Sequence, residues 1–172
     1  AASGTVTFDG LLTAQSGTVT LGAGDNTLNG GLTISGGTFT GSSGVVDVNG
    51  AMTHSSGTLT APSGTFTVSG NWAQSGGTFT PGSNTVTFDG TGTQTLNAAT
   101  ALNNLSHTGA GTLQTVTNNL SVSGTFANSA GTFDADTNDQ TVTVTGLATV
   151  SGGTYTASSS ATQTFNGGLT IS

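Results

Sequence analysis

Short runs in which apolar and polar residues alternate recur along the chain at intervals of twenty positions. Alternation with a period of two is typical of a β-strand that buries one face and exposes the other. The first run of each unit reads Gly-Thr-apolar-Thr, and its apolar position is filled by Val19, Phe39, Leu59, Phe79, Phe133 and Tyr155. The second run carries Leu28, Val46, Val48, Phe66, Val68, Val86 and Phe88, and the third carries Leu12, Leu32, Met52 and Trp72. The pattern predicts three short strands in every unit.

Two series of glycines repeat with the same interval. The first consists of Gly10, Gly30, Gly50, Gly70 and Gly90, and the second of Gly17, Gly37, Gly57 and Gly77. Such short strands cannot form a sheet with their neighbours in sequence, but each can pair with the same strand of the next unit about 4.8 Å away. We therefore predict an all-β fold, a parallel β-solenoid (β-helix) with about 20 residues and three strands per coil and roughly eight to nine coils. An antiparallel sandwich or barrel would not keep three apolar columns at a constant offset.

The repeat is disturbed after Gly90 and returns at Gly131. Residues 91–129 form the irregular part, and the stretch from Gly77 to Gly131 fits three coils of roughly 18 residues. We expect the solenoid to continue through this part with shorter corners, so that residues 1–172 form a single repeat segment. Because both ends of the sequence lie inside a repeat unit, we expect the segment to belong to a longer array or filament.

A small polar residue precedes each glycine of the first series. These residues are Asp9, Asn29, Asn49, Ser69 and Asp89. Such side chains bond the nearby backbone and the following glycine accepts a positive φ angle, so the pattern predicts a ladder of tight corners. A row of carboxylate ligands is the alternative, and the Asn and Ser residues that interrupt the row argue against it.

The composition excludes several classes of function. Only 4% of the residues are charged, Lys and Arg are absent, and seven acidic residues, all of them Asp, give a net charge of −7. Neutralising phosphates requires cationic side chains, so we predict no nucleic-acid partner. No apolar run approaches the roughly 20 residues of a membrane-spanning helix, which argues against membrane insertion. The absence of Cys excludes disulfides and thiolate chemistry.

Several longer stretches resemble a family of repeat proteins. The segments "GNWAQSGGTFTPGSNTVTFDGTGTQTL", "LNNLSHTGAGTL" and "NNLSVSGTFANSAGTFDA" are similar to the degenerate Gly/Thr/Ser/Asn repeats of large bacterial surface proteins, the filamentous-haemagglutinin and autotransporter-like adhesins. The resemblance covers nearly the whole chain, although these proteins usually carry some Lys and this chain has none. It implies a right-handed β-helix in an extracellular or cell-surface fibre, stalk or sheath. It transfers no catalytic residue.

A structural role without catalysis therefore leads the functional interpretation. The terminal coils of a solenoid expose unpaired strand edges, so we expect self-association end to end, or covalent continuation of the coils, into a filament. Surface glycans are a further expected partner. The chain is not expected to be an enzyme, because its only groups that titrate near neutral pH, His54 and His107, fall in different coils without a Glu, Cys or basic neighbour. His54 shares a column with Ala14, Ile34 and Gln74, and we expect it to face inward and to bond a neighbour such as Gln74.

One acidic segment, residues 134–139, resembles the opening of a calcium-binding loop. Asp134, Asp136 and Asn138 lie at alternate positions, as in the opening of such a loop. Asp139 stands where the loop glycine is expected, and Thr145 takes the place of the closing Glu. This unit is two residues longer than the regular one, so a wider, solvated acidic corner is the alternative to a weak Ca²⁺ site. No other cofactor is predicted.

Paired threonines suggest a rival function. Thr18, Thr20, Thr38, Thr40, Thr58, Thr60, Thr78 and Thr80 should form two parallel files on one face, which resembles the Thr-x-Thr arrays of ice-binding solenoids. Threonine is also favoured on any exposed β-surface, and a second face repeats the pattern at Thr65, Thr67, Thr85 and Thr87. Glycan binding by the β-helix is the third candidate function. Carbohydrate-cleaving β-helices need clustered acidic and basic groups, which this chain lacks.

Overall fold

The computed structural model describes residues 4–172, which form 22 strands and no helix. The strands of the first half are β1 (Val6–Phe8), β2 (Leu12–Ala14), β3 (Thr18–Thr20), β4 (Asn26–Leu28), β5 (Leu32–Thr40), β6 (Val46–Val48), β7 (Met52–Thr60), β8 (Phe66–Val68), β9 (Trp72–Gln74) and β10 (Thr78–Thr80). Those of the second half are β11 (Thr85–Phe88), β12 (Thr93–Asn97), β13 (Asn104–His107), β14 (Thr112–Thr115), β15 (Leu120–Val122), β16 (Phe126–Asn128), β17 (Thr132–Asp134), β18 (Val142–Val144), β19 (Ala148–Val150), β20 (Thr154–Thr156), β21 (Gln163–Phe165) and β22 (Leu169–Ile171).

The strands stack into three parallel sheets. Sheet A has the order β1-β4-β6-β8-β11-β13-β16-β19-β22, and sheet B the order β2-β5-β7-β9-β12-β14-β17-β20, with β3 beside β5 and β10 beside β7. Sheet C consists of β15, β18 and β21. Because each strand pairs in parallel with the corresponding strand of the next coil, the fold is a β-solenoid of about eight coils. The predicted architecture is confirmed.

The first four coils keep the predicted register. Leu12, Leu32, Met52 and Trp72 pair in succession, as do Val19, Phe39, Leu59 and Phe79. These side chains point inward and, apart from the half-buried Leu12 and Val19 of the first coil, are buried. Apolar burial along these columns is the main stabilising term of the fold.

In the first four coils, two strands are longer than the three short strands per coil that the sequence predicts. β5 and β7 each run for nine residues through the third run of one unit and the first run of the next, with a register irregularity near Ser35. Two of the three predicted faces therefore belong to one sheet in this half, and a separate sheet C is paired only from Leu102 onward.

The column of Phe79 ends in the fourth coil, which corrects one sequence prediction. β10 pairs only with β7, and the next coil places β12 over β9, with Leu96 beside Trp72. Phe133 consequently pairs with Leu113 and Tyr155 rather than extending the Phe79 column. The predicted placement of Phe133 and Tyr155 in that column was wrong, because the same local motif recurs after the coil has changed its path.

The irregular coils differ in length. The solenoid continues through residues 91–129, as predicted, but Val86 pairs with a residue nineteen positions later, Leu105 with one twenty-one positions later, and Leu96 with one twenty-four positions earlier. The prediction of roughly 18 residues per coil was wrong. The longer segment between Trp72 and Leu96 is held in place by Gln94, whose Nε2 donates to the carbonyls of Val68 and Gly70 at 2.9 and 2.7 Å.

Candidate functional site

Two files of threonine run along sheet B in the first four coils. Thr18, Thr38, Thr58 and Thr78 pair in register, and so do Thr20, Thr40, Thr60 and Thr80. The strand period puts the two files about 6.8 Å apart, and the stacking of coils sets neighbours in a file about 4.8 Å apart. All eight residues are exposed or half-exposed, on the side opposite the buried column that ends at Phe79.

A third file widens this surface. Thr13, Thr33 and Thr53 pair in register, and Ala73 follows them. β5 and β7 carry all three files on continuous strands. We call these eleven threonines, in three files on one sheet, the threonine face.

The hydroxyls of the threonine face are free of protein partners. Within residues 4–172, none of them makes a side-chain hydrogen bond to another group of the protein. Sheet A differs, because its outward column includes Asp47, which accepts a hydrogen bond of 2.6 Å from Thr67. The predicted second threonine surface is therefore interrupted by a carboxylate, whereas the threonine face is uniform.

The acidic segment folds into a turn held by the Asp134 carboxylate. Oδ1 accepts from the backbone amides of Asp136 and Thr137 at 2.9 and 3.1 Å, and Oδ2 accepts from the Thr137 hydroxyl at 2.6 Å and from Gln114 Nε2 at 3.1 Å. Burial raises the pKa of Asp134, but these hydrogen bonds outweigh it and hold the pKa below its usual range. The carboxylate acts as a cap of the turn.

The other calcium candidates have separate partners. Asp136 accepts from the Ser159 amide at 2.7 Å, Asp139 accepts from the Ser158 hydroxyl at 2.8 Å, and Asn138 Nδ2 donates to a backbone carbonyl at 3.1 Å. In the part of the chain that the structure describes, no group of three or more acidic or His side chains is placed to hold a metal ion. The wider corner is confirmed, and calcium binding stays a prediction.

The two histidines lie in the core on different sheets. His54 faces inward in the predicted column with Ile34 and Gln74, but its Nε2 contacts the Gly57 carbonyl at 3.4 Å, while Gln74 donates to Thr100 at 2.9 Å. The predicted bond to Gln74 was wrong because Gln74 serves the irregular fifth coil. Burial lowers the pKa of His54, and the contact with Gly57 offsets only part of this effect.

His107 lies in sheet A. Its Nδ1 donates to Asn128 Oδ1 at 2.7 Å, and Asn128 Nδ2 donates to the Thr154 carbonyl at 2.9 Å. Burial lowers the pKa of His107, and the bond to Asn128 opposes this only partly. Both imidazoles lie in the core, where His54 contacts a carbonyl of its own coil and His107 bonds Asn128 of the next coil.

The predicted corner ladder exists, but its bonds differ from the expected ones, and the predicted positive φ angle is wrong because none of the glycines of the first series adopts it. Asn29 Nδ2 donates to Asp9 Oδ1, and Asn49 Nδ2 donates to Asn29 Oδ1, both at 2.8 Å. Ser69 donates to Asp89 Oδ1 at 2.7 Å. The side chains bond each other from coil to coil, so the row is a structural ladder along the edge of sheet A.

Sequence reasoning missed a groove at another corner. Pro62, Pro81 and Asn84 line it, and Asn84 is buried. The sequence does contain one sign of this groove, because Asn84 replaces the glycine that fills the equivalent position in the three preceding coils.

Comparisons of the chain with protein-family models, with curated proteins and with solved structures found no match. No helix capable of spanning a membrane occurs within residues 4–172. The interpretation of function therefore depends on the arrangement of the residues themselves.

Proposed function

We propose that this chain is a structural repeat segment of a bacterial extracellular or cell-surface fibre, stalk or sheath, with no catalytic role. The observation that carries the proposal is the continuous parallel stack of coils around one apolar column. Such a stack extends by adding coils, and its stability comes from interactions between neighbouring coils. The extracellular assignment follows the resemblance to bacterial surface repeats. The absence of Lys and Arg agrees with it, because trypsin has no bond to cleave.

Exposed apolar side chains at the last described coil support the filament part of the proposal. Ile171 is 72% exposed and Leu169 is 43% exposed, although both continue columns that are buried in the preceding coils. A further coil, supplied by more chain or by another copy, would cover them and pair with the free edges of the terminal strands.

The 172-residue chain is therefore expected to associate end to end as its concentration rises. Sedimentation velocity should show growing species, and electron microscopy should show filaments with an axial rise of about 4.8 Å per coil. The double substitution Leu169→Asp and Ile171→Asp should prevent this association, because it places charges on the uncovered end.

Leu147 provides the matched control. It is 46% exposed but lies on the side of the solenoid rather than at its end. Leu147→Asp should leave association unchanged. A stable, monodisperse monomer of the unmodified chain at all concentrations would contradict the filament proposal.

The threonine face favours ice binding as a second candidate function. Regularly spaced hydroxyls and methyls without protein partners are suited to holding ordered water, and sheet B holds them in uninterrupted files. Sheet A also carries outward threonines, but Asp47 interrupts its column in the second coil, so the threonine face is the more regular of the two surfaces.

Thermal hysteresis and ice shaping test this second function. The unmodified chain should show both, and Thr58→Lys, in the middle of the face, should abolish them. Thr87→Lys on the outward column of sheet A should have no effect, because that column contains Asp47. Absence of ice shaping by the unmodified chain would eliminate this candidate.

A further inference from the structure

Two clefts lie side by side at the corner between sheets B and A in the third and fourth coils. Their volumes are about 180 and 390 Å³. Ser63, Ser83 and Asn84 line both clefts, so they are two lobes of one groove. The only two prolines of the chain, Pro62 and Pro81, line the smaller lobe. We call this feature the proline groove.

Asn84 supplies an unused hydrogen-bond acceptor at the proline groove. The residue is 8% exposed, and its Nδ2 donates to the carbonyls of Pro62 at 2.7 Å and Gly64 at 2.6 Å. These two bonds fix the amide plane. Asn84 Oδ1 is buried and has no hydrogen-bond partner. An unpaired buried oxygen of this kind costs about 1–3 kcal/mol, which a donor entering the groove would recover.

The coil does not need this side chain. Glycine fills the same position in the three preceding coils, at Gly24, Gly44 and Gly64. At Gly44 and Gly64 even a Cβ would collide with the backbone of the coil below. Asn84 is accommodated because its amide bonds that backbone. The fourth coil therefore places a polar group where its predecessors have none.

The lining defines the chemistry of a ligand. No residue that lines either lobe is titratable, so a cation finds no carboxylate there, and the net charge of −7 disfavours an anion. The half-buried Pro81, backed by the buried Pro62 and Ala61, forms an apolar wall, while Ser63 and Ser83 offer exposed hydroxyls. Small-molecule sites combine such apolar walls with a few placed polar groups.

We propose that the proline groove binds a neutral, hydroxyl-rich ring, with the size of one or two saccharide units. The C–H face of the ring packs mainly against Pro81, because Pro62 is buried, and one ring hydroxyl donates to Asn84 Oδ1, which requires the groove wall to shift because that oxygen is closed to solvent. The serine hydroxyls bond the outer hydroxyls of the ligand. This site is distinct from the threonine face and does not depend on the proposed fibre role.

The test is an NMR titration of the full chain with methyl glucoside, methyl galactoside, N-acetylglucosamine and maltose. At least one of these probes should shift the side-chain amide of Asn84 and the backbone amides of Gly82 and Ser83. Asn84→Gly should weaken that binding roughly tenfold or more. Glycine suits this position in the other coils, so the variant is expected to fold.

Two serine variants keep the test independent of the Asn84 substitution. Ser83→Ala should weaken binding because it removes a groove hydroxyl, whereas Ser43→Ala, at the corresponding corner of the second coil, should not. The proposal is overturned if no probe shifts the groove resonances at saturating concentration. It is equally overturned if the shifts fall on the threonine face, or if Asn84→Gly and Ser83→Ala bind the probe as tightly as the unmodified chain.

Discussion

Replacing Trp72 by alanine is expected to lower the free energy of unfolding by about 3–5 kcal/mol, the largest loss for any single side chain in this core. Trp72 is fully buried, and its ring centroid lies 5.8 Å from that of Phe66, 5.4 Å from that of Phe79 and 6.3 Å from that of Phe88. Truncation leaves a cavity where the solenoid changes its path. Chemical denaturation measures the loss, and a fall in melting temperature of roughly 6–20 °C should accompany it.

Trp72→Phe separates loss of volume from loss of the indole N–H. Nε1 of Trp72 is buried without a hydrogen-bond partner, so removing it relieves a desolvation cost. We expect Trp72→Phe to cost much less than Trp72→Ala. A loss below about 1 kcal/mol for Trp72→Ala would mean that this side chain does not fill the core.

Gly70→Ala is expected to destabilise the protein by about 3 kcal/mol through overpacking. A Cβ at Gly70 would lie under 3.0 Å from backbone atoms of Gly50 and Ala51 in the coil below. These contacts involve backbone rather than flexible side chains, so relief requires neighbouring coils to move apart and to weaken their ladder hydrogen bonds. Chemical denaturation of the variant measures the effect.

Gly10 is the matched control, because it begins the same glycine series. Apart from Gly10 itself and its two chain neighbours, no atom lies within 4 Å of a Cβ built on Gly10. Gly10→Ala should therefore change the free energy of unfolding by less than about 0.5 kcal/mol. Equal effects at Gly10 and Gly70 would show that the crowding between coils is not what requires glycine.

The regular coils could be predicted because their determinants are local. Alternation decides which side chains point inward, and a constant offset then aligns Leu32, Met52 and Trp72 without knowledge of distant contacts. The change of path after Trp72 could not be predicted in this way. Phe133 follows the same Gly-Thr pair as Phe39, but its column depends on how Gln94 bonds the preceding coil.

The surface features likewise divide into those that the local sequence determines and those that depend on contacts between coils. The two predicted threonine files follow from alternation, and the structure brings them into register. The width of the face depends on β5 and β7 remaining straight through two runs, which the sequence pattern does not specify. The proline groove depends on two corners that only the stacking of coils brings together. Its one sign in the sequence is that Asn84 stands where the preceding coils have glycine.

Distances along one column of sheet A test the central claim most directly, because the chain has no Cys and accepts pairs of spin labels at chosen sites. Thr7, Thr87 and Thr149 belong to the same outward column, four and three coils apart in succession. Cysteine pairs at positions 7 and 87 and at positions 7 and 149 should give electron–electron distances near 19 and 34 Å, rising by about 4.8 Å per coil. Distances that fail to increase with the number of coils would contradict the parallel, in-register stack.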